Sequence, residues 1–541
     1  MAKKWLFTLC GLLIICGLPF VVREKGSSIY PQSDDRVVVL VAHNENIRYE
    51  VGRGFSEWYK KKTGRTVFID WRYLGGVSEI IRYLDGVYTS AFRYYWENEL
   101  NRQWTSETAQ IFANRSADPS GWKTPAERDV CSIFYNSNVS SGIDIFFGGG
   151  VGEFERVANQ GLLADTEFGA EHPELIREDV IPQHFAGSDL CDAKGRWYGS
   201  ALCTFGIIYN SDALAAKGLN MADISQWEQL ADPQLIGMIA LADPTKSSAL
   251  LKALEMVVQQ QIMFTTKEQS DPNGNAQAIR AGWLRGLRII QRISANTRYF
   301  ADTPTKMILD VGTGNSAVGI IVDFMGKAQS AAENARCGYE RLGFVIPQDG
   351  SATSSDPIGI LRGAPNVAVA KKFLEYVLSE DGQKIFAFNA GAPGGPVMHT
   401  LHRPPINKRI YSPGFAAHRT GNDNPYISLA GFDFHPERTA PVYNALKWMV
   451  KFAFIIPHQE LISAWRAIVA ARAEGRIEDA TAAQEIFDDF SDFEYDAING
   501  TLTAVLSTAD PAAALAAQRE IVRRFQIQYS TAKRRAMGQL E

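Results

Sequence analysis

"RVVVLVAHNENIRYEVGRGFSEWYKKKTGRTVFIDWRYLGG", residues 36–76, decides how this chain folds. Residues 36–42 are a short apolar run, suited to a strand covered on both faces. Ile47, Val51, Phe55 and Trp58 then recur at helical spacing, with Asn44 or Asn46 as cap and Gly64 as stop. Residues 66–73 read as a second strand, closed by Gly75 and Gly76, and a second helix begins at Val77. The order β-α-β-α predicts a parallel sheet flanked by helices, an α/β fold.

Working outward, residues 87–140 interrupt this alternation with a stretch rich in Tyr, Trp, Asn and Arg, expected to be an insertion packed on the first lobe. "IDIFFGGGVGEFERVANQGLL" (143–163) resumes strand, glycine turn and helix. "GRWYGSALCTFGIIYNSDAL" (195–214), "MIALADPTKSSALLKALEMVVQQQ" (238–261) and "SAVGIIVDFMGKAQSAAENA" (316–335) repeat the arrangement. In the helix after Pro365, Val369, Phe373, Tyr376 and Val377 share one face. Beyond about residue 400 the chain is turn-rich and then mainly helical.

At 541 residues more than one core is expected. The composition is that of a globular protein, 46% hydrophobic and 21% charged, with net charge −5 and no basic run. A nucleic-acid partner would need a basic face, so that class is set aside. Residues 1–22 carry Lys3 and Lys4 ahead of an apolar run, the layout of a secretory signal. The run is long enough to serve instead as an N-terminal anchor. In either case the body is expected to be exported. Cys10 and Cys16 lack the small neighbours of a lipoprotein signal. Export permits disulfides, and a Cys191–Cys203 bridge across a hairpin stands beside free thiols as an expectation.

Several strands end in turns that lead into helices: "AHNEN", "YLGGVS", "FFGGGVG", "DPTKSS" and "VDFMGK". In a parallel α/β sheet such ends gather on one edge, where ligands bind. Helix starts offer unpaired N–H groups and partial positive charge, which suit anions. The candidate ligand-binding residues are therefore His43, Asn44, Gly76, Ser78, Gly149, Gly150, Thr245, Ser247, Ser248 and Asp323. Each has an ordinary reading as a helix cap or packed side chain. "GGGVG" lacks the G-x-G-x-x-G spacing of a dinucleotide loop. His399 and His402 are close enough to suggest a metal, but no acidic or cysteine partner accompanies them.

Taken in order over residues 36–397, these segments resemble the extracellular solute-binding proteins of bacterial ABC importers. The resemblance is to the branch that holds ferric-ion-binding and sugar-phosphate-binding periplasmic proteins. It implies a type II periplasmic-binding-protein fold of two hinged α/β lobes: residues 33–205 as lobe 1, 206–345 as lobe 2, 346–400 returning to lobe 1, and 401–541 as a helical C-terminal extension. Lobe crossings are expected near 204–209 and 344–347. The resemblance further implies a small-molecule solute held between the lobes, delivery to a membrane permease, a monomer, and no cofactor or enzymatic step. Ferric-binding relatives use a histidine of the first strand–helix loop, here matched by His43, and an adjacent tyrosine pair. Where the pair is expected, this chain has Asp323 and Phe324. That favours a polar, anionic solute such as a phosphorylated sugar, with a metal or metal chelate on His43 and Asp323 as the alternative.

Two other classes stand beside this one. An exported enzyme finds no G-x-S-x-G, H-E-x-x-H or P-loop to support it. A membrane-tethered sensor would use the N-terminal run and the apolar helix of residues 441–456, although Lys447 and Lys451 interrupt the latter.

Overall fold

The computed structural model describes residues 33–268 and 276–539, apart from 422, 430, 433 and 507–510. The leader with Cys10 and Cys16 lies outside the described residues. Among those described, no helix is long and apolar enough to cross a membrane.

The opening β-α-β-α unit forms as its pattern requires. Strand β1 (Asp35–Val41) leads to helix α1 (Glu45–Thr63), then β2 (Val67–Tyr73) and α2 (Val77–Tyr94). Asn44 caps α1 by accepting a hydrogen bond from the Ile47 amide, and Gly64 ends it at φ 74°, a left-handed turn that glycine adopts without strain. β3 (Ile145–Phe147), α3 (Val151–Asn159) and β4 (Tyr198–Cys203) follow. Together with β10 (Ser354–Ile360), which returns from far along the chain, these strands build a first sheet ordered β2-β1-β3-β10-β4. β1 pairs parallel with β2 and β3, whereas β10 runs antiparallel to β3 and β4.

A second five-stranded sheet is built from β5 (Phe205–Asn210), β6 (Ile239–Ala242), β7 (Thr297–Ala301), β8 (Val318–Val322) and β9 (Leu342–Val345), in the order β9-β5-β8-β6-β7. Helices α4 (Ser248–Glu268), α5 (Ala276–Asn296) and α6 (Asp323–Cys337) connect its strands. Only Thr204 separates β4 of the first sheet from β5 of the second. Residues 346–353 carry the chain back from β9 to β10 (Ser354–Ile360). Helices α7 (Val367–Leu378) and α8 (Glu380–Ala387) then cover lobe 1. Val369, Phe373, Tyr376 and Val377 are all buried there, against Phe55 and Val51 of α1.

The aromatic stretch after β2 packs on the other face of that sheet, where Phe92, Trp96, Phe112 and Phe134 form one cluster. Helix α2 runs unbroken through residue 87 to Tyr94, because Leu84, Tyr88 and Phe92 lie on one buried stripe.

The C-terminal 140 residues divide between the lobes. Residues 404–407 lie along β4: the Leu202 amide donates to the Pro404 carbonyl at 2.8 Å, and Ala201 bridges Pro405. Tyr426 packs on Phe185 and donates to the Ile406 carbonyl. From Phe432 onward the chain belongs to lobe 2, so it crosses between lobes a third time. Helices α9 (Tyr443–Val450), α10 (His458–Ala473), α11 (Ile477–Phe487) and α12 (Pro511–Ala536) share one continuous core with the second sheet and with α4 and α5. This explains why α4 is buried nearly all round, its Glu255 and Gln259–Gln261 included. It is covered by the sheet on one side and by the C-terminal helices on the other.

The four described cysteines are free thiols, so the expected Cys191–Cys203 bridge does not form. Cys191 bridges Tyr198, which puts it beside the start of β4, while Cys203 ends that strand and donates to the Ser354 carbonyl.

Candidate functional site

The ends of strands from both lobes meet at the two short crossings. β1 ends just before His43, β3 just before Gly148, and β8 just before Asp323. At their junction lies a buried group that joins His43, Asp356 of β10 and Arg403. The Arg403 side chain is fully buried and ion-paired to Asp356 Oδ2. Its Nη1 donates to His43 Nδ1 at 3.3 Å, and the His43 ring stands edge-on to Phe147 at 4.4 Å. Asp356 Oδ1 accepts from the Gly149 amide at 2.7 Å. From lobe 2, the ring of Phe324 lies 4.3 Å from the Arg403 guanidinium carbon.

The protonation pattern follows from who can donate. A guanidinium only donates, so Nδ1 of His43 accepts and the ring proton resides on Nε2. Burial, opposed by Asp356 and reinforced by Arg403, holds this imidazole down to about 4, so it is neutral at ordinary pH. Burial would raise the Asp356 carboxyl, but the Arg403 guanidinium above all, with the Gly149 amide, outweighs it and holds it ionised. Among the described residues, His43 Nε2 and Arg403 Nε are buried without a hydrogen-bond partner, as are the hydroxyls of Thr204 and Thr353 at the crossings. Buried N–H donors without partners suit an acceptor-rich group.

Arg403 is held there by its own loop. Glu50 of α1, fully buried, accepts from the amides of Val397, Met398 and His399 at 2.7–2.8 Å. These bonds overcome the desolvation of its carboxyl and lower it.

His43 makes folding stability depend on pH. The unfolded chain takes up a proton at this ring below about 6.5, whereas the folded chain refuses it until about 4. Its contribution is therefore complete above 6.5 and declines as pH falls through that window, by about 3 kcal/mol in all. A His43→Leu variant is expected to lose about 2–3 kcal/mol less than the parent between pH 7 and 4, measured by urea unfolding at each pH.

The other candidates separate into three groups. Gly149 and Asp323 join His43 at the junction. Asp323 is buried, its Oδ1 accepts from the Phe324 amide, and burial raises its carboxyl despite the nearby Lys327 and Arg403 charges. Gly76, the uncapped start of α2, and Ser78 are exposed, with Val77 beside Gly149. Asn44 caps α1. Thr245 bonds to Asp243, whose other oxygen pairs with Lys451 of the C-terminal region, and Ser247 caps α4 by accepting from Leu250. Ser248 opens that helix. One turn on, Lys252 pairs with Glu255 and lies over the Phe434 ring. Gly150 opens α3 without a side-chain cap.

His399 and His402 have separate surroundings. The former turns to Tyr49, the latter feels Lys327, and no group of three metal-binding side chains occurs among the described residues. Asp356 and Arg403 escaped the sequence reading. "SSDPIG" and "HTLHRPP" carry no spacing signal, and only their tertiary meeting marks them.

Residues 138–412 match the model of the bacterial extracellular solute-binding protein family, and the chain belongs to that family. The matched region runs from the approach to β3, through both sheets, to the loop carrying Arg403. Among curated relatives, iron uptake protein A2 of Synechocystis sp. is 26% identical over 251 residues, covering 45% of this chain and 62% of that protein. The phosphoglycerate transport regulatory protein PgtC of Salmonella typhimurium is 22% identical over 252 residues, covering 44% and 56%. The chain thus spans about three fifths of the length of these relatives. Among solved structures, the periplasmic binding protein AfuA of Actinobacillus pleuropneumoniae, with exogenous fructose 6-phosphate bound, aligns over 77% of this chain and 98% of that one, at 17% identity and a TM-score of 0.45.

Proposed function

We propose that this protein is the solute-capturing component of an ABC importer, acting outside the cytoplasmic membrane and performing no chemistry on its cargo. It takes a small, polar, anionic solute such as a phosphorylated sugar between the two lobes and hands it to a membrane permease. It acts as a monomer, with residues 1–22 as signal or tether. The observation that carries this reading is the junction itself. Strand ends of both sheets converge on His43 and Arg403, whose unpartnered Nε2–H and Nε–H ask for acceptor oxygens.

The same geometry supports the mechanism. The lobes rotate about their three crossings, at Thr204, at residues 346–353 and ahead of Phe432, and contacts made only in the closed form drive the shift. Moving such an equilibrium from 1:99 to 99:1 takes about 5.5 kcal/mol of differential affinity. Strong charge-assisted bonds from Arg403 to an oxyanion, with a lobe 2 partner at Phe324 or α4, are of the kind that supplies it.

A second reading is a metal chelate, favoured by the likeness to an iron uptake protein. A bare ferric ion fits poorly, because the Arg403 cation lies against His43 and Phe324 stands where a phenolate is needed. A chelate whose carboxylates meet Arg403 does not have that difficulty.

Native mass spectrometry of freshly purified protein, followed by thermal unfolding with fructose 6-phosphate, 3-phosphoglycerate, citrate and ferric citrate, tests both readings. A true ligand at one hundred times its Kd stabilises by about 2.7 kcal/mol. Stabilisation by a phosphorylated compound supports the first reading, and stabilisation by ferric citrate alone the second. No co-purified solute and no stabilisation by any compound would sink the importer assignment.

A further inference from the structure

The loop after β6 is organised around one carboxylate. Asp243 Oδ1 accepts from the Thr245 amide at 2.9 Å and from the Thr245 hydroxyl at 2.7 Å, an Asx turn. The Asp243 carbonyl accepts from the amides of Lys246 and Ser247, each at 2.9 Å, and the Ser247 hydroxyl then caps α4. β6 lies parallel to β8, so this loop leaves the same edge of lobe 2 as Asp323. That edge meets lobe 1, where the Asp323 amide donates to the Thr204 carbonyl at 2.9 Å and Phe324 lies over Arg403.

A buried carboxylate needs a countercharge. Asp243 is buried, and the Lys246 ammonium of its own loop is turned to Asp302, just past β7. The cation comes instead from Lys451, which pairs with Asp243 Oδ2. Lys451 opens a π-helical turn (Lys451–Ile455), in which the Ile456 amide donates to the Lys451 carbonyl at 3.0 Å. Such turns are frequent at functional sites. This one is bedded in the lobe 2 core. Phe452 stacks on Trp448 at 5.5 Å, and the Tyr529 hydroxyl of α12 donates to the Ala453 carbonyl at 3.1 Å. The backbone that carries Lys451 is thus fixed by contacts independent of the loop it braces.

We infer that Lys451 is a positioning residue of the solute site. It neutralises Asp243 and so sets the loop that lobe 2 presents to the crevice, acting through Asp243, Thr245 and Ser247. Lys451 lies beyond the stretch matched by the family model, so the C-terminal region completes the lobe 2 side of the site. The inference rests on the importer reading and names what aligns its lobe 2 surface.

The test compares the full-length parent with Lys451→Met and Lys451→Arg, by hydrogen exchange of the free proteins and by calorimetric titration of fructose 6-phosphate and ferric citrate. Met keeps the apolar stem without the charge, and Arg restores a cation. In Lys451→Met the amides of Thr245, Lys246, Ser247 and Leu250 are expected to exchange faster while those of β8 and α5 keep their protection. Solute binding should weaken about tenfold, within the usual range of coupling between sites. Lys451→Arg should restore both. An ion pair that serves stability alone would lower protection across lobe 2 and leave the affinity of the folded protein unchanged, and that result overturns the inference. So does unchanged exchange at the loop amides. Either leaves the importer reading intact. A parent that binds neither compound overturns both.

Discussion

A chain ending at residue 430 is expected not to fold its second lobe. The helices from Tyr443 onward are not an appendage. Leu446, Phe452, Leu461, Trp465, Phe487 and Tyr529 are buried in the same core as Val257, Trp283, Leu287 and Ile290 of the lobe 2 helices. Polar ties reinforce the seam. The Trp283 indole donates to the Phe493 carbonyl at 2.9 Å, Gln291 to the Phe487 carbonyl at 2.8 Å, and the Trp465 indole to Asn296 at 3.0 Å. Each large apolar side chain moved from core to water costs about 1.5–3 kcal/mol. Half a dozen of them amount to about 9–18 kcal/mol, as much as the roughly 5–15 kcal/mol by which a domain is stable. Expression of residues 33–430 should give aggregated protein, or a lobe 1 that survives limited proteolysis while residues 206–345 are degraded. A soluble monomer that unfolds in one sharp transition and still binds solute would refute the shared core.

Replacing Arg403 has the next largest effect. Arg403→Met leaves the Asp356 carboxylate buried with only the Gly149 amide and a neutral His43 for company. Removing one partner of a buried pair destabilises by about 3–5 kcal/mol, because the remaining charge is uncompensated. The double variant Asp356→Asn/Arg403→Met should regain most of that loss, since a neutral amide can be satisfied where a lone carboxylate cannot. Both variants should lose solute binding. Urea unfolding and titration of the parent, single and double variants separate the two effects. A double variant that binds as the parent does would show that Arg403 serves folding alone.

Much of this molecule can be read from local pattern. The β-α-β-α opening, the caps at Asn44 and Gly64, the buried stripe of α7 and the strand ends near His43 and Asp323 all follow from periodicity over a few residues. Each is decided by contacts within one element or its neighbour. The helical character of the C-terminal region was equally plain from its spacing.

What the pattern could not reveal is where distant elements meet. Arg403 stands 360 residues from His43 and 47 from Asp356. Nothing in "LHRPP" distinguishes a buried guanidinium from a solvated one until Glu50 pins its loop. Likewise, the apolar faces of the C-terminal helices state that they will be covered, without naming what covers them. Hydrophobic periodicity records that a face must leave water, a local and non-directional demand. The choice of partner, and with it the fusion to lobe 2 and the arginine at the crevice, belongs to packing between segments hundreds of residues apart. Only the tertiary structure decides that.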